Sequence, residues 1–381
     1  MKKLKACIAG MGFVGAVHAE ALHRTGAAEL IAVADPAKAA QKAEKCGAPR
    51  GYDDALEMIE RERPDVLHIC TPNRSHYELA RFALEKGIHV LCEKPLCSSS
   101  DQARQLCELA EERRLRCGLN LSFRYNPQIM QMRSLISQGK LGRLFSVHGS
   151  YLQDWLLYDT DYSWRLETDF PGETRAVADI GSHWMDLCQF VSGQKITAVM
   201  AEFSTFHRQR KKPLHGSETF CAANGAAREW QEVPVGTEDC ALLMFRFESG
   251  LVGSCTLSQA FAGRKNQLLL SVAGSESSLC WDSDCGNRLW WGRRDGYNQE
   301  IEKAPELLEE PARRVTGYPG GHAEGFADTF KQGFLDFYGS LTKDANAAGC
   351  YAGLEDGLRL LQLCESAALS AREHRWVELP C

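Results

Sequence analysis

A glycine-rich turn between a short apolar run and a helix-like stretch constrains this chain more than any other feature. Lys3–Ala9 reads as a short strand. Gly10-Met11-Gly12-Phe13-Val14-Gly15 follows at once, a helix-like stretch runs on to Gly26, and a second apolar run, Leu30–Ala34, ends at Asp35. This is the order a dinucleotide-binding βαβ unit requires. Gly10 permits the tight turn out of the strand, and Gly12 lets backbone N–H groups approach a pyrophosphate, which a helix N-terminus favours electrostatically. Gly15 lets the helix pack close to the sheet. Asp35 lies twenty residues past Gly15, where a carboxylate accepts hydrogen bonds from both ribose hydroxyls and repels a 2′-phosphate. NAD is therefore expected in preference to NADP.

At 381 residues the chain is long enough for about two domains. It is 44% hydrophobic and 25% charged, as a globular protein is, and its net charge of −6 gives no electrostatic case for nucleic-acid binding. One basic cluster, Arg208-Gln209-Arg210-Lys211-Lys212, reads as a solvated loop, with a flap at an active-site rim as the alternative. The sixteen cysteines are scattered without a CxxC pair. Cys7, Cys70 and Cys92 fall inside apolar runs, where a thiol behaves as a small hydrophobe. They are expected to be reduced, in a cytoplasmic protein with no metal site. Three glycines interrupt the N-terminal apolar stretch, which argues against a signal peptide. No run approaches the ~18 consecutive apolar residues of a membrane span.

Strand and helix patterns alternate to about residue 120. Helices are predicted at Val14–Thr25, Pro36–Cys46, Asp54–Arg61, Ser75–Lys86 and Ser99–Arg113, and strands at Cys7–Ala9, Leu30–Ala34, Val66–Cys70, His89–Cys92 and Arg116–Asn120. Short, continuously apolar strands are those of a parallel sheet covered on both faces, so residues 1–121 are expected to form a doubly wound α/β domain. The pattern then changes. One helix, Pro127–Gln138, precedes strands at Leu144–Tyr151, Ile196–Phe203, Cys240–Phe247, Leu251–Gln259, Gln267–Ala273 and Ser278–Trp281, with Gly216–Gly236 read as a long loop. Late helices are expected at His322–Leu341 and Tyr351–Arg372. Residues 122–381 thus read as an α+β domain on a mostly antiparallel sheet, serving substrate binding and oligomerisation.

Three further constellations could carry chemistry. Thr71-Pro72-Asn73, with His76 three residues on, closes the third strand at the carboxyl edge where open α/β sheets bind ligands. Alone, it also reads as a turn and helix cap. Glu93-Lys94-Pro95 closes the next strand, and Pro95 biases Lys94 towards extended geometry. A surface turn has the same composition. In Asp179-Ile-Gly-Ser-His183-Trp-Met-Asp186, helical spacing would put Asp179, His183 and Asp186 on one face. A carboxylate beside an imidazole fixes its tautomer and stabilises the imidazolium, which suits a general base taking a proton from an alcohol. A capped helix start with a packed histidine is the alternative.

In combination and in this order, GMGFVG, Asp35, TPN, EKP and DxGxHxxD resemble the Gfo/Idh/MocA family of nicotinamide-dependent sugar and polyol oxidoreductases, over essentially the whole chain. The resemblance implies a Rossmann domain, NAD as cofactor, and Lys94, Asp179 and His183 as the catalytic group. It also implies a cofactor site made of Gly10, Met11, Gly12, Phe13, Val14, Gly15, Asp35, Thr71, Pro72, Asn73, His76, Glu93 and Lys94, with a cis Lys94–Pro95 bond. The segments Leu152–Tyr158, Tyr162–Arg165, Arg175–Trp184 and Tyr318–His322 are similar to levoglucosan and glycoside 3-dehydrogenases, which oxidise the carbon-3 hydroxyl of a pyranose. Trp155, Tyr158 and Trp164 offer flat faces to a sugar ring, and Asp154, Arg165 and His322 offer hydrogen bonds. Arg124 and Tyr125 join Lys94, Asp179 and His183 in the expected substrate set. A homodimer or homotetramer is implied, without nucleic acid or membrane. The alternatives are an inositol, polyol or nucleotide-sugar dehydrogenase of the same family, and a cofactor-bound sensor without catalysis.

Overall fold

The computed structural model describes residues 3–167, 174–214, 229–342 and 349–380. Two compact units divide the chain. Met1–Met130 and Glu310–Leu361 form the first, Gln131–Glu309 and Gln362–Cys381 the second.

The first half alternates strictly: β1 (Leu4–Ala9), α1 (Phe13–Thr25), β2 (Ala28–Ala34), α2 (Ala39–Cys46), β3 (Gly51–Tyr52), α3 (Ala55–Glu62), β4 (Val66–Ile69), α4 (His76–Glu85), β5 (His89–Cys92), α5 (Ser100–Arg113) and β6 (Cys117–Leu119). The six strands form a parallel sheet in the order β3-β2-β1-β4-β5-β6. The winding direction reverses between β1 and β4. The turns after those strands carry Gly10–Gly15 and Thr71–Asn73, so both lie where open α/β sheets bind ligands. Helix α2 starts at Ala39 rather than Pro36 because Lys38 takes the left-handed conformation, φ 60°. The two-residue strand β3 is too short for any hydropathy pattern to reveal.

Further on come α6 (Pro127–Ser137), β7 (Leu144–Leu152), α7 (Ser182–Ser192), β8 (Ile196–Ser204), β9 (Gln209–Pro213), β10 (Trp230–Pro234), β11 (Cys240–Phe247), β12 (Val252–Ser258), β13 (Gln267–Gly274) and β14 (Ser278–Asp282). They are followed by β15 (Arg288–Gly292), β16 (Gln299–Glu302), α8 (Glu310–Arg314), α9 (Phe326–Thr342), α10 (Leu354–Glu373) and β17 (Val377–Glu378). Nine of these strands make one sheet, β16-β15-β14-β13-β7-β12-β11-β8-β17, antiparallel except at β12–β7. The alternation read from sequence is physical. In β11, Ala241, Leu243, Phe245 and Phe247 are buried while Leu242, Met244 and Arg246 are exposed.

The expected loop Gly216–Gly236 needs correction. Residues 230–234 are strand β10, paired antiparallel with β9, while residues 216–228 lie outside the described residues. The expected helix at His322 begins at Phe326, where Asp328 accepts the N–H of Gly325. Within the first unit, Phe330, Phe334, Phe337 and Tyr338 of α9 share one core with Ala6 and Ile8 of β1, Val33 of β2 and Leu91 of β5.

Candidate active site

The turn after β1 has the geometry of a phosphate cradle. Gly10 sits at φ 89°, and a Cβ there would lie 2.6 Å from the Cys70 carbonyl. A Cβ on Gly15 would lie 2.0 Å from Gly10 O, so only glycine lets α1 start this close to the turn. Gly12 caps α1 with no side-chain acceptor, and a Cβ there would meet nothing within 4 Å. The helix N-terminus therefore faces open space with its N–H dipoles, which fits an anion. Phe13 stands 61% exposed, whereas Met11 is buried and Val14 half-buried.

Asp35 closes β2. Its Oδ2 accepts Met11 N at 2.8 Å, and its Oδ1 accepts Ala37 N at 2.9 Å and pairs with Lys42 Nζ at 2.6 Å. Burial works against its charge, but the Lys42 pair and the two backbone N–H donors outweigh it and hold the carboxyl below its usual range. An ionised acceptor thus stands at the strand end where a ribose diol is recognised. These features fit a dinucleotide. Lys42, three residues into α2, was missed from the sequence because lysine on an exposed helix carries no signal of its own.

The TPN and EKP turns are braced together. Ser75 Oγ donates to Thr71 Oγ1 and to Pro72 O, and Asn73 opens a short 3-10 turn. His76, fully buried, puts Nδ1 2.7 Å from Pro95 O and Nε2 2.8 Å from Thr71 O. A neutral ring can donate to only one of these carbonyls. Burial lowers the His76 pKa although both carbonyls favour the cation. The Lys94–Pro95 bond is cis, and Lys94 is half-buried at the sheet's carboxyl edge.

Behind Glu93 runs a buried chain of side chains. His18 Nε2 lies 3.0 Å from Glu93 Oε1, His18 Nδ1 lies 2.9 Å from His68 Nδ1, and His68 Nε2 lies 2.7 Å from Tyr338 Oη. Asn120 also donates to Glu93 Oε1, at 2.5 Å. Burial opposes the Glu93 charge, yet the His18 and Asn120 hydrogen bonds leave its pKa lowered. An ionised Glu93 only accepts, so neutral rings run one way: Tyr338 donates to His68, His68 to His18, and His18 to Glu93.

In the second unit, the DxGxH segment departs from helical expectation. Val177–Gly181 is a π-turn leading directly into α7, so the Asp179-to-His183 spacing starts with more residues per turn than α-helical geometry provides. Glu238 caps this turn, its carboxylate accepting Arg175 N and Val177 N at 2.9 and 2.8 Å. Asp179 Oδ2 accepts Gln259 Nε2 at 2.8 Å, and Oδ1 faces Arg165 Nε at 3.5 Å. His183 is half-buried, with its ring 6.2 Å from that of Tyr151. Asp186 is buried on α7.

The other expected substrate residues divide between the units. In the second, Asp154 Oδ2 accepts Lys265 Nζ at 2.8 Å, Trp155 Nε1 donates to Gln153 Oε1 at 2.7 Å, and the Arg165 guanidinium lies 4.5 Å from the Trp164 ring. Tyr158 is 64% exposed. In the first, Arg124 is buried against Asp356, Tyr125 donates to Asp336 Oδ2 at 2.6 Å, and His322 is exposed.

The basic cluster is not a solvated loop. Arg208–Lys212 leads into and forms most of β9, and Arg210 is fully buried. Its guanidinium donates to the carbonyls of Leu156, Tyr158 and Asp161 and to Asp239. A buried cation needs such acceptors, and the three carbonyls come from a segment some fifty residues away. Arg175, Glu238, Asp239 and Gln259 were likewise missed. Only the polar run Thr237-Glu238-Asp239 at the entry to β11 hinted at them.

Comparison with known proteins agrees with this geometry. Residues 4–121 match the model of an oxidoreductase family with an NAD-binding Rossmann fold, and residues 129–280 match the Gfo/Idh/MocA C-terminal domain. The chain belongs to the Gfo/Idh/MocA oxidoreductase family. It is 26% identical to levoglucosan dehydrogenase of Pseudarthrobacter phenanthrenivorans, covering 100% of this chain and 99% of that one. To D-glucoside 3-dehydrogenase of Escherichia coli it is 30% identical, over 73% of this chain and 75% of the relative. A solved levoglucosan dehydrogenase, in complex with NADH and L-sorbose, superposes with a TM-score of 0.88 at 24% identity and full coverage of both chains. This Gfo/Idh/MocA protein is an NAD-dependent oxidoreductase. No helix among its described residues is long and apolar enough to cross a membrane, and every described cysteine is free.

Proposed function

We propose that this enzyme oxidises a secondary hydroxyl of a sugar or glycoside, at carbon 3 of a pyranose, giving a 3-keto sugar. The observation that carries the reading is the DxGxH segment: an Asp179 carboxylate oriented by Gln259 and Arg165, four residues before His183, in the same unit as the aromatic faces of Trp155 and Trp164. The names of two relatives, levoglucosan dehydrogenase and D-glucoside 3-dehydrogenase, support the substrate class.

In this reading His183 takes the hydroxyl proton as general base. Asp179 fixes the imidazole and stabilises the imidazolium that forms. The Lys94 ammonium holds the developing alkoxide charge. Trp155 and Trp164 receive the C–H face of the ring, while Asp154 and Arg165 meet hydroxyls. Bound NAD supplies the hydride acceptor. Its adenosine ribose is assigned to Asp35 and its pyrophosphate to Gly10–Gly15. Residues 1–121 are given the cofactor, and 122–381 the substrate and the contacts of a homodimer or homotetramer.

Turnover of a glucoside with NAD should give a 3-keto product identifiable by NMR, and a 3-deoxy sugar should be inert. Lys94→Ala and His183→Ala should each lower kcat by roughly a hundredfold or more, and His183→Ala should do so without weakening NAD binding. A lactone product, or activity confined to inositols, refutes the carbon-3 assignment. Near-full activity of either variant refutes its catalytic role.

A further inference from the structure

Gln259 is a fully buried amide immediately after β12, and it makes three side-chain hydrogen bonds. Its Nε2 donates to Asp179 Oδ2 at 2.8 Å and to Gln153 Oε1 at 3.3 Å. Its Oε1 accepts Arg175 Nη1 at 2.7 Å. Gln153 Oε1 also accepts the indole N–H of Trp155. One amide therefore touches the catalytic carboxylate and, through one intermediary, the indole of an expected sugar-stacking residue.

The chain continues behind it. Arg175 donates from Nε to Thr237 Oγ1 at 3.1 Å, and from Nη2 to Asp239. Asp239 is fully buried and also pairs with Arg210 Nη2 at 2.8 Å. Burial opposes the Asp239 charge, but the two guanidinium groups outweigh it and hold its carboxyl below the usual range. Arg210 then grips the 156–161 segment from inside through three carbonyls: Leu156 at 3.0 Å, Tyr158 at 2.8 Å and Asp161 at 3.2 Å. His207 holds Leu157 O at 2.9 Å, and Lys211 N donates to Asp159 O at 2.9 Å. A surface hairpin would hold such a segment with exposed ion pairs worth little. Here a desolvated, planar fork is matched to several fixed acceptors, which lysine cannot reproduce.

We propose that Arg210, Asp239, Arg175 and Gln259 form a positioning relay that couples the order of the 156–161 substrate segment to the orientation of the Asp179 carboxylate. Sugar binding that orders the segment would then align the base pair, and a poorly fitting sugar would leave Asp179 misaligned. The proposal rests on the assignment of Asp179 and His183 as the catalytic pair. None of the four relay residues is assigned a contact with substrate or cofactor.

The test uses Gln259→Glu, Gln259→Leu, Arg210→Lys and the double variant Arg210→Lys/Gln259→Leu in the full-length enzyme. Gln259→Glu keeps the shape and the Arg175 contact but sets a carboxylate against Asp179. The charged or titratable groups facing Asp179 include Arg165 and Tyr151, whose ring lies beside that of His183, with Arg175 and Asp239 behind Gln259. A new negative charge raises the pKa of Asp179 and His183, both of which must be deprotonated for oxidation. The acid limb of kcat should therefore move to higher pH. Gln259→Leu should lower kcat by about tenfold to a hundredfold, the scale on which small misplacement acts. Arg210→Lys should raise KM for the sugar and weaken its binding, read from tryptophan fluorescence, with NAD affinity unchanged. In the double variant the losses in kcat/KM should be less than additive. Thermal melting of each variant identifies misfolding, and Gln259→Glu carries the decision if Arg210→Lys does not fold. An unmoved acid limb in folded Gln259→Glu, or strict additivity in a folded double variant, overturns the relay. Near-full activity of His183→Ala would instead overturn the catalytic reading beneath it.

Discussion

Lys42 should set how strictly the enzyme discriminates between NAD and NADP. An acidic residue at the end of β2 repels a 2′-phosphate. In this chain, however, the Asp35 carboxylate is paired with Lys42 Nζ at 2.6 Å, and the lysine side chain is 30% exposed while that of the aspartate is 11% exposed. A cation there offsets part of the repulsion. For a unit charge roughly 5 Å from an ammonium, Coulomb's law gives about 1–3 kcal/mol over effective dielectrics of about 80 to 20. The partial exposure of Lys42 favours the low end, about 1–1.5 kcal/mol, or roughly tenfold in an equilibrium or rate ratio. Lys42→Ala should therefore raise the ratio of kcat/KM for NAD to that for NADP by about tenfold. Attraction of Lys42 for the pyrophosphate is common to both cofactors and cancels in the ratio. Asp35→Ala should act the other way, weakening NAD and narrowing the preference. The assay is steady-state kinetics with each cofactor at low and high salt, because an exposed charge effect shrinks with ionic strength. A Lys42→Ala ratio within twofold of the parent would refute the argument.

Stability should fall as pH drops below about 6.5, the unfolded histidine value. Burial holds the pKa of His68 well below normal and lowers that of His76, so unfolding takes up protons that the folded chain does not bind. Each such group costs about 1.4 kcal/mol per pH unit until its folded value is reached. The lowered carboxylates Asp35, Glu93 and Asp239 matter only nearer pH 4, and the raised carboxyls of Glu238 and Asp161 act in the opposite sense, so the fall in Tm from pH 7.5 to 5.5 should shrink in His76→Gln; an unchanged fall would contradict the assignment. For the proposed homo-oligomer, the open sheet face carries Leu242, Met244, Val252 and Trp290, each 41–52% exposed, and register places them on one side. Met244→Arg should shift light-scattering mass towards the monomer, and a monomeric parent protein would refute the proposed assembly.

What could be read from the sequence was what local chain physics dictates. The Gly10–Gly15 turn, the strand-ending Asp35 and the EKP turn are each contiguous, and their constraints act within a few residues. The strands β1, β4 and β5 are largely buried and so are mostly apolar, with His68 of β4 a buried exception. The features that escaped depend on partners far along the chain. Strand β10, Trp230–Pro234, is almost wholly exposed and shows no alternation, and its pairing with β9 makes it a strand. Nothing in the phenylalanines of α9 says that their core is that of the first sheet, because an apolar helix face does not specify its partner. Arg210 is the sharpest case. Flanked by Arg208, Lys211 and Lys212, it reads as surface, yet in β9 it is buried against Asp239 and three carbonyls, while the half-buried Lys211 and Lys212 pair with Asp159 and Glu167. Alternation alone sets Lys211 on the opposite face but leaves Lys212 on that of Arg210, so it is the acceptors gathered around Arg210, not period two, that single it out. A charge run that coincides with a strand should be read residue by residue, its inward member sought as a buried anchor and its neighbours as solvent contacts.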